Sequence, residues 1–168
     1  MKVKLVAITQ PIVDGIRTAE ELIVYCARVS NPNNQLNTLT GPKLLAYCFR
    51  EGHVSIFEQA DLTVEIQTSR AISAQIIRHW SFRFQEFSQR YSVVQEAEKI
   101  ELRKQASSNR QSSTEVIDDY RVHLVNNAIH NAFNLYDELV ESGVARECAR
   151  MILPLASRTT LYMKGSVR

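Results

Sequence analysis

The segment RHWSFRFQEFSQRYS, residues 78–92, concentrates side chains that could bind a charged ligand. It contains three arginines and one glutamate, with five aromatic residues among and beside them. Three guanidinium groups this close repel one another unless an anion or a carboxylate lies between them, and phosphate suits their planar donor geometry. Aromatic rings nearby can stack on a planar base or cofactor. The segment therefore predicts a site for a phosphorylated, ring-containing molecule.

Two other interpretations of this segment stay open. Phe82, Phe84 and Phe87 could be core contacts while the arginines lie in solvent, although this leaves the polar residues from Gln85 to Arg90 unexplained. Binding of single-stranded nucleic acid also fits basic and aromatic residues. The formal charge of only +2, from 20 Lys+Arg against 18 Asp+Glu, and the lack of a repeated aromatic platform argue against nucleic acid.

Other kinds of catalytic site find less support in the sequence. The four histidines lack metal-ligand spacing, so we expect no metal. There is no glycine-rich phosphate loop, and no G-x-S-x-G elbow surrounds Ser88. Cys26, Cys48 and Cys148 are odd in number and far apart, which favours small buried hydrophobic residues over disulfides.

Length and composition indicate an ordinary globular protein. With 168 residues, of which 45% are apolar and 23% charged, we expect one domain, residues 1–168. The N-terminal segment lacks the features of a signal peptide, and no apolar run has membrane-spanning length. We therefore expect a cytoplasmic protein with no membrane association.

Hydrophobic periodicity predicts an α/β (α+β) fold, with a twisted central sheet flanked by helices, one of them long. Thr18 and Glu21 form a capping box at the start of a helix, and Gly52 and Gly143 can end helices. The polar segment 95–113 is expected to be a solvated helix or a mobile excursion. The predicted strands are residues 2–9 and about 62–67, and the predicted helices are about 18–29, 42–51, 70–80 and 114–141.

The short helix should carry Gln75, Arg78 and His79 towards one region, since these residues lie on neighbouring turns. Near the C-terminus, Arg146 and Arg150 are one helical turn apart. The first pattern adds polar and basic side chains to the candidate site.

Several ordered sequence blocks resemble the flavin-dependent thymidylate synthase family. Q-x-x-RH, followed after position 80 by seven residues and Ser88, is similar to the family pattern Arg-His-Arg, seven residues, Ser. The upstream GHVSIFEQ resembles the family's H-x-S-x-F-E-H, and ARMILP matches A-R-x-x-L-P. The resemblance extends from the N-terminal strand to Arg168.

This resemblance implies methylation of dUMP to dTMP, with methylenetetrahydrofolate as the one-carbon donor. It also implies FAD, reduced by NADPH, as the hydride carrier. Family members are homotetramers with active sites built across subunit interfaces. No metal and no cysteine nucleophile take part in the family's chemistry.

The resemblance also assigns roles by matched position. The catalytic assignments are His53, close to the flavin ring, with Ser88 and Arg90. The substrate-binding positions are Gln75, Arg78, Glu86, Phe87, Ser88, Gln89, Arg90 and Arg150, of which Gln75 and Arg78 are donated by a neighbouring subunit. The cofactor-binding positions are Ser55, Arg78, His79, Trp80, Glu86, Ser166, Val167 and Arg168.

The sequence departs from the family pattern in several places. Trp80 stands where arginine is usual, Gln85 where asparagine is common, and Gln59 where histidine is usual. Family members continue past the position of Arg168 into a helix whose arginine contacts the pyrimidine. We therefore expect this C-terminal helical part to be missing and residues 166–168 to be frayed. The alternative is a catalytically impaired member that only binds flavin and nucleotide.

Overall fold

The computed structural model describes residues 1–168 and contains six strands and five α-helices. Short 3-10 turns cover Pro32–Asn34, Val54–Gln59 and Arg150–Ile152. The elements in chain order are β1 (Lys2–Ile8), α1 (Ala19–Ala27), α2 (Gly41–Arg50), β2 (Asp61–Ser69), α3 (Arg70–Ile76), β3 (Arg83–Glu86), β4 (Arg103–Gln105), β5 (Ser113–Val116), α4 (Tyr120–Glu141), α5 (Arg146–Ala149) and β6 (Arg158–Ser166).

Four strands form one sheet in the order β1-β2-β6-β3, and β4 pairs with β5 in a separate antiparallel ladder. This mixture of sheet and helices confirms the predicted α/β class. Because β2 and β6 are neighbours in the sheet, segments from the middle and the end of the chain pair directly. None of the helices combines the length and apolar character needed to cross a bilayer.

The chain forms two compact units, and β2 and β6 each contribute residues to both. The first, called the α4 unit, comprises Met1, residues 67–78 and residues 86–160. The second, called the β1 unit, comprises residues 2–66, 79–85 and 161–168. The assignment of the whole chain to a single domain stays a prediction.

Each unit has its own apolar cluster. In the α4 unit, Val94, Tyr136 and Ala149 are buried together, and Phe87 and Phe133 pack against them. In the β1 unit, the cluster consists of Ala19, Ile23 and Ala60, with Leu45, Ile56 and Phe57 packed against it. The first cluster joins the start of loop 87–91 to α4 and α5, which positions the candidate site described below.

The local signals for α1 and for two helix ends are confirmed. The Glu21 backbone N–H donates to Thr18 Oγ1 at 3.1 Å, and the Thr18 N–H donates to Glu21 Oε2 at 3.1 Å. Gly52 follows α2 with φ 74° and Gly143 follows α4 with φ 89°. Residues other than glycine rarely adopt this left-handed conformation, so these glycines end their helices as predicted.

The predicted end of the long helix at Glu141 is confirmed, but its predicted start and the prediction for the preceding segment were wrong. Residues 113–116 belong to β5, which pairs with β4 across a hairpin, so α4 begins only at Tyr120. Asp119 caps α4 by accepting a hydrogen bond from the Arg121 N–H at 2.9 Å. Strand pairing with β4 satisfies backbone groups that a helix from 114 would have used, and part of segment 95–113 is therefore strand.

Two smaller expectations also need correction. The short helix α3 ends at Ile76, and a turn between Gln75 and Arg78 replaces its predicted continuation to residue 80. Cys48 is buried as expected, whereas Cys148 is exposed. Helix α5 covers only Arg146–Ala149, and the exposed side of so short a helix cannot be deduced from spacing alone.

Candidate active site

Loop 87–91 in the α4 unit joins β3 to the core of that unit. The Phe87 N–H donates to the Thr160 carbonyl oxygen at 2.9 Å, and the Tyr91 N–H donates to the Ser88 carbonyl oxygen at 3.1 Å. Gln89 is buried, while Ser88 and Arg90 are exposed. The loop is thus fixed through its backbone and presents a hydroxyl and a guanidinium group to solvent.

Arg90 of this loop lies near two further arginines and one glutamate. Arg90 Nη2 pairs with Glu147 Oε2 at 3.2 Å, and Arg146 Nη1 donates to the Tyr91 carbonyl oxygen at 2.6 Å. Arg150 Nε donates to the Glu147 carbonyl oxygen at 3.3 Å. The local formal charge is positive, and exposed guanidinium groups of this kind suit an anionic ligand.

The carboxylate of Glu86 is held by side chains of the α4 unit. Its Oε1 accepts hydrogen bonds from Ser73 Oγ at 2.5 Å and Thr159 Oγ1 at 2.9 Å, and it pairs with Arg70 Nη1 at 2.6 Å. Sequence reasoning missed Arg70, Ser73 and Thr159. No sequence signal connects them to Glu86, because the contacts join α3, β3 and β6.

Gln75 and Arg78 are exposed residues of the α4 unit and make no side-chain hydrogen bond or ion pair. Within one chain they are therefore free to contact a ligand or another subunit. His79 and Trp80 belong to the β1 unit, so the prediction that His79 shares one region with Gln75 and Arg78 stays a prediction.

The β1 unit contains a cavity of about 720 Å³. Trp80, at 88% exposure, lies on its lining, and Arg83 Nη1 donates to the carbonyl oxygens of Trp80 at 3.0 Å and Phe82 at 3.1 Å. The remaining lining residues are Glu58, Asp61, Ser81, Phe82, Lys164, Gly165, Ser166 and Arg168. The cavity thus combines an indole ring with three cationic side chains and the two carboxylates of Glu58 and Asp61.

Gly165 is required where β6 approaches Phe82. A Cβ atom at position 165 would lie 2.2 Å from Phe82 Cδ1, far closer than side-chain atoms approach each other. The Phe82 N–H donates to the His79 carbonyl oxygen at 3.1 Å, which closes a turn beneath Trp80. Glycine therefore lets the strand and the turn form one wall of the cavity.

The C-terminal residues of this chain are tied to the β1 unit, so the expectation of a frayed end was wrong. β6 extends to Ser166, and the Val167 N–H donates to the Ala60 carbonyl oxygen at 2.9 Å. Arg168 pairs with Glu58, and Lys164 pairs with Asp61 at 3.6 Å. Strand pairing and an ion pair between distant residues hold this segment, which local sequence could not indicate.

A second cavity of the β1 unit, of about 510 Å³, includes Ser55. Glu58 lines both cavities, so its ion pair with Arg168 lies beside each of them. His53 immediately precedes the turn that carries Ser55, and its ring lies edge-on to Tyr47 with centroids 6.1 Å apart. The roles assigned by matched position did not include Glu58, Arg83 and Lys164, although Arg83 lies within segment 78–92 and Glu58 within GHVSIFEQ.

The α/β fold, the arginines around a surface loop and the indole ring at a cavity fit a nucleotide-binding class of protein, because guanidinium groups suit phosphates and an indole can stack on a planar ring. Comparisons with known proteins identify the family within this class. The sequence model of the family described as thymidylate synthase complementing protein matches residues 11–168.

Two relatives share 49% identity with this chain. They are the probable flavin-dependent thymidylate synthase of Paramecium bursaria Chlorella virus 1, over 173 residues, and the flavin-dependent thymidylate synthase of Synechocystis sp., over 175 residues. Each alignment covers 100% of this chain and 80% of the relative. This chain belongs to the thymidylate synthase complementing protein family, the flavin-dependent thymidylate synthases.

Solved structures agree with this assignment. The crystal structure of the UMP/dUMP methylase PolB from Streptomyces cacaoi, bound with 5-Br dUMP, aligns with a TM-score of 0.77 and 26% identity. The alignment covers 98% of this chain and 73% of that chain. The same methylase bound with 5-Br UMP aligns with a TM-score of 0.73 and 25% identity.

Proposed function

We propose that this protein methylates dUMP to dTMP in the cytoplasm, with methylenetetrahydrofolate as the one-carbon donor and FAD, reduced by NADPH, as the hydride carrier. The observation that carries the proposal is the arginine-rich surface of loop 87–91, in a chain whose 49% identical relatives are named flavin-dependent thymidylate synthases. The methylase that shares the fold was solved with a brominated dUMP, which supports the same substrate class.

The nucleotide site consists of Gln75, Arg78, Glu86, Phe87, Ser88, Gln89, Arg90 and Arg150 in this proposal. The phosphate takes the place of the Glu147 carboxylate on Arg90, since both anions compete for the same exposed guanidinium group. Ser88 donates its hydroxyl proton to a phosphate oxygen. Gln75 and Arg78, exposed in the single chain, reach the nucleotide of a neighbouring subunit.

The residues around the larger cavity of the β1 unit fit a flavin nucleotide. Its volume of about 720 Å³ lies in the range of cofactor sites. Trp80 is exposed for stacking on a planar ring, and Arg83 donates only to backbone carbonyl oxygens, so its charge is not neutralised by a carboxylate. Arg83 therefore supplies a cation near the position where family members use arginine in place of Trp80.

The remaining cofactor assignments, Ser55, Arg78, His79, Glu86, Ser166, Val167 and Arg168, belong to the same proposal. FAD bound there and reduced by NADPH would supply the hydride for the pyrimidine ring. The chain binds and orients both ring systems and excludes water from them, while arginines stabilise the negative charge that develops on the pyrimidine. His53 lies close enough in sequence to Ser55 to assist proton movement near the same cofactor.

The proposal also includes a homotetramer. Tyr120, Leu124 and Leu135 are exposed on α4, and their spacing places them on one face of the helix. The buried Tyr136 and the partly buried Phe133 lie on the face that packs within the α4 unit. An exposed apolar stripe opposite the packed face supports association with further copies of the chain.

Activity is tested directly with purified protein loaded with FAD. Given 5-tritiated dUMP, NADPH and methylenetetrahydrofolate, the protein should release tritium to water as the methyl group is transferred. Omission of NADPH or of the folate provides the control, and both omissions should abolish release. No release by protein that retains FAD and dUMP binding would favour the catalytically impaired alternative.

Binding is measured independently of turnover, because Trp80 is the only tryptophan in the chain. Addition of FAD should quench its emission, and later addition of dUMP should perturb the spectrum of the bound flavin. The alternative of single-stranded nucleic-acid binding predicts salt-sensitive affinity for an oligonucleotide that dUMP does not displace. That result, together with no response to FAD, would contradict the proposed function.

A further inference from the structure

Glu86 accepts three side-chain contacts on one carboxylate oxygen. Arg70 Nη1 lies 2.6 Å from Oε1, Ser73 Oγ lies 2.5 Å from it, and Thr159 Oγ1 lies 2.9 Å from it. All four residues belong to the α4 unit. One oxygen that receives three donors has no free lone pair for a ligand. The Oε1 atom of Glu86 therefore makes contacts only within the protein.

The three donors come from two elements that are far apart in sequence. Arg70 and Ser73 lie in α3, three residues apart and therefore on one side of the helix. Thr159 lies on β6 and is 73 residues from Glu86. The carboxylate thus joins the end of β3 to both α3 and β6.

Burial makes these contacts strong constraints on the backbone. Ser73 is 1% exposed and Thr159 is 4% exposed, so water cannot replace Glu86 as the partner of either hydroxyl group. A buried polar group without a partner is costly, and a charged acceptor strengthens each hydrogen bond. The side chain of Glu86 is therefore confined to one position.

Glu86 is the last residue of β3 and immediately precedes loop 87–91. The next residue, Phe87, donates its N–H to Thr160, the neighbour of Thr159 on β6. At the far end, Arg146 donates to the Tyr91 carbonyl oxygen at 2.6 Å. The start of the loop is consequently held through Glu86 and β6, and its end through α5.

We propose that Arg70, Ser73 and Thr159 are positioning residues for loop 87–91, acting through the carboxylate of Glu86. The choice of dUMP as the ligand rests on the proposed function. The claim that the cluster holds loop 87–91 in position does not. With the cluster intact, Ser88 and Arg90 are held ready for the nucleotide. Without it, the loop must be ordered by the nucleotide itself, and affinity falls.

The test compares two threonine-to-valine substitutions of equal size. Thr159→Val removes one of the contacts to Glu86. Thr68→Val is the matched control, because Thr68 is 2% exposed and its hydroxyl has no hydrogen-bond partner. In FAD-loaded protein, we expect Thr159→Val to weaken dUMP binding about tenfold in calorimetry, and Thr68→Val to leave it unchanged.

Three further readouts separate positioning from general destabilisation. FAD affinity of Thr159→Val should fall less than dUMP affinity, because Glu86 is one of several residues assigned to the cofactor, and Thr159→Ser, which restores the hydroxyl, should recover dUMP affinity. KM for dUMP should rise more than kcat falls. The losses from Thr159→Val and Glu86→Gln should not add, because both act through the same carboxylate.

Hydrogen–deuterium exchange of loop 87–91 gives a result that does not require dUMP. Faster exchange in Thr159→Val but not in Thr68→Val supports positioning, even if the parent protein binds no dUMP and the proposed function fails. Unchanged exchange and unchanged dUMP affinity in folded Thr159→Val overturn the inference. If that variant does not fold, Ser73→Ala provides the same comparison with Thr68→Val.

Discussion

Arg90 is held at the protein surface by a carboxylate that a phosphate can replace. Its Nη2 lies 3.2 Å from Glu147 Oε2, and both side chains are more than half exposed, at 66% and 56%. An exposed ion pair of this kind contributes little to stability. Its value in the proposed function is that it keeps the guanidinium group oriented until the nucleotide arrives.

Substitution of Arg90 by alanine should therefore act on one ligand. We expect Arg90→Ala to weaken dUMP binding about a hundredfold, the loss of charge-assisted hydrogen bonds to phosphate, and to change FAD affinity by less than about twofold. Calorimetric titration with each ligand measures both. Arg110→Ala is the matched control, because Arg110 is exposed in the β4–β5 hairpin and its removal changes the charge equally. If Arg90→Ala weakened dUMP binding and FAD binding equally, the assignment of Arg90 to the nucleotide phosphate would be contradicted.

Trp80 is predicted to contribute to FAD affinity by stacking on the flavin ring. Trp80→Ala should raise the dissociation constant of FAD about tenfold through loss of ring stacking, whereas Trp80→Phe should keep most of the affinity. Flavin fluorescence during titration measures this without the tryptophan signal. If Trp80→Ala binds FAD as tightly as the parent, the large exposed indole ring has another role.

At the scale of single elements, β6 depends on Gly165. We expect Gly165→Ala to lower the melting temperature by several degrees, since the added methyl group would overlap Phe82. Thermal unfolding measures the change. Phe82→Leu combined with Gly165→Ala should recover part of the loss, because the smaller side chain leaves room. A melting temperature unaffected by Gly165→Ala would show that the turn at Phe82 shifts freely.

The start of α4 provides a pH-dependent prediction. Hydrogen bonds from Arg121 lower the pKa of Asp119 from 3.8 to about 2. A carboxyl group with a lowered folded-state pKa stabilises the protein above its unfolded pKa, and this contribution is lost as the pH falls through the folded value. The melting temperature of the parent should therefore exceed that of Asp119→Asn above pH 4, and the difference should shrink towards pH 2.

Asparagine is a suitable comparison at position 119 because it also caps helices but carries no charge. Both proteins keep the cap, so the comparison isolates ionisation. Thermal scans across this pH range provide the measurement. A difference in melting temperature that stays constant down to pH 2 would contradict the assignment.

At the scale of the whole molecule, the exposed stripe on α4 is the surface expected to support the homotetramer. Leu124 is 58% exposed and Leu135 is 47% exposed. Leu124→Glu should shift the protein to smaller species in light scattering after size exclusion, because a carboxylate cannot be buried without a partner. Asn126→Glu, at an exposed position on the other side of α4, is the control and should leave the assembly unchanged. Identical masses for both variants would exclude this stripe from the interface.

Sequence reasoning succeeded for features decided by neighbouring residues. The capping box of Thr18 and Glu21 spans three positions, and Gly52 and Gly143 act through their own backbone conformation. The family blocks at residues 52–59, 75–92 and 149–154 are equally local, and they identified the family that the comparisons confirm. Such features need no knowledge of the rest of the fold.

The failures share a different cause. The start of α4 was misplaced because β5 pairs with β4, and the C-terminal residues were expected to fray because the partners of Val167 and Arg168 lie more than a hundred positions earlier. The proposed cluster around Glu86 was also invisible, since Ser73 and Thr159 lie 13 and 73 residues from it. Pattern and propensity describe a chain only over a few turns.

The sequence by itself therefore determined the family, the α/β class and the set of polar and aromatic residues available for nucleotide chemistry, because these depend on residue type and short spacing. Only the tertiary structure decided which of these groups are already paired. It placed Glu147 on Arg90, directed three donors to the Oε1 atom of Glu86, and left Trp80 and Arg83 at a cavity. These ion pairs and hydrogen bonds join residues that are distant in sequence, so they form only when the chain is folded.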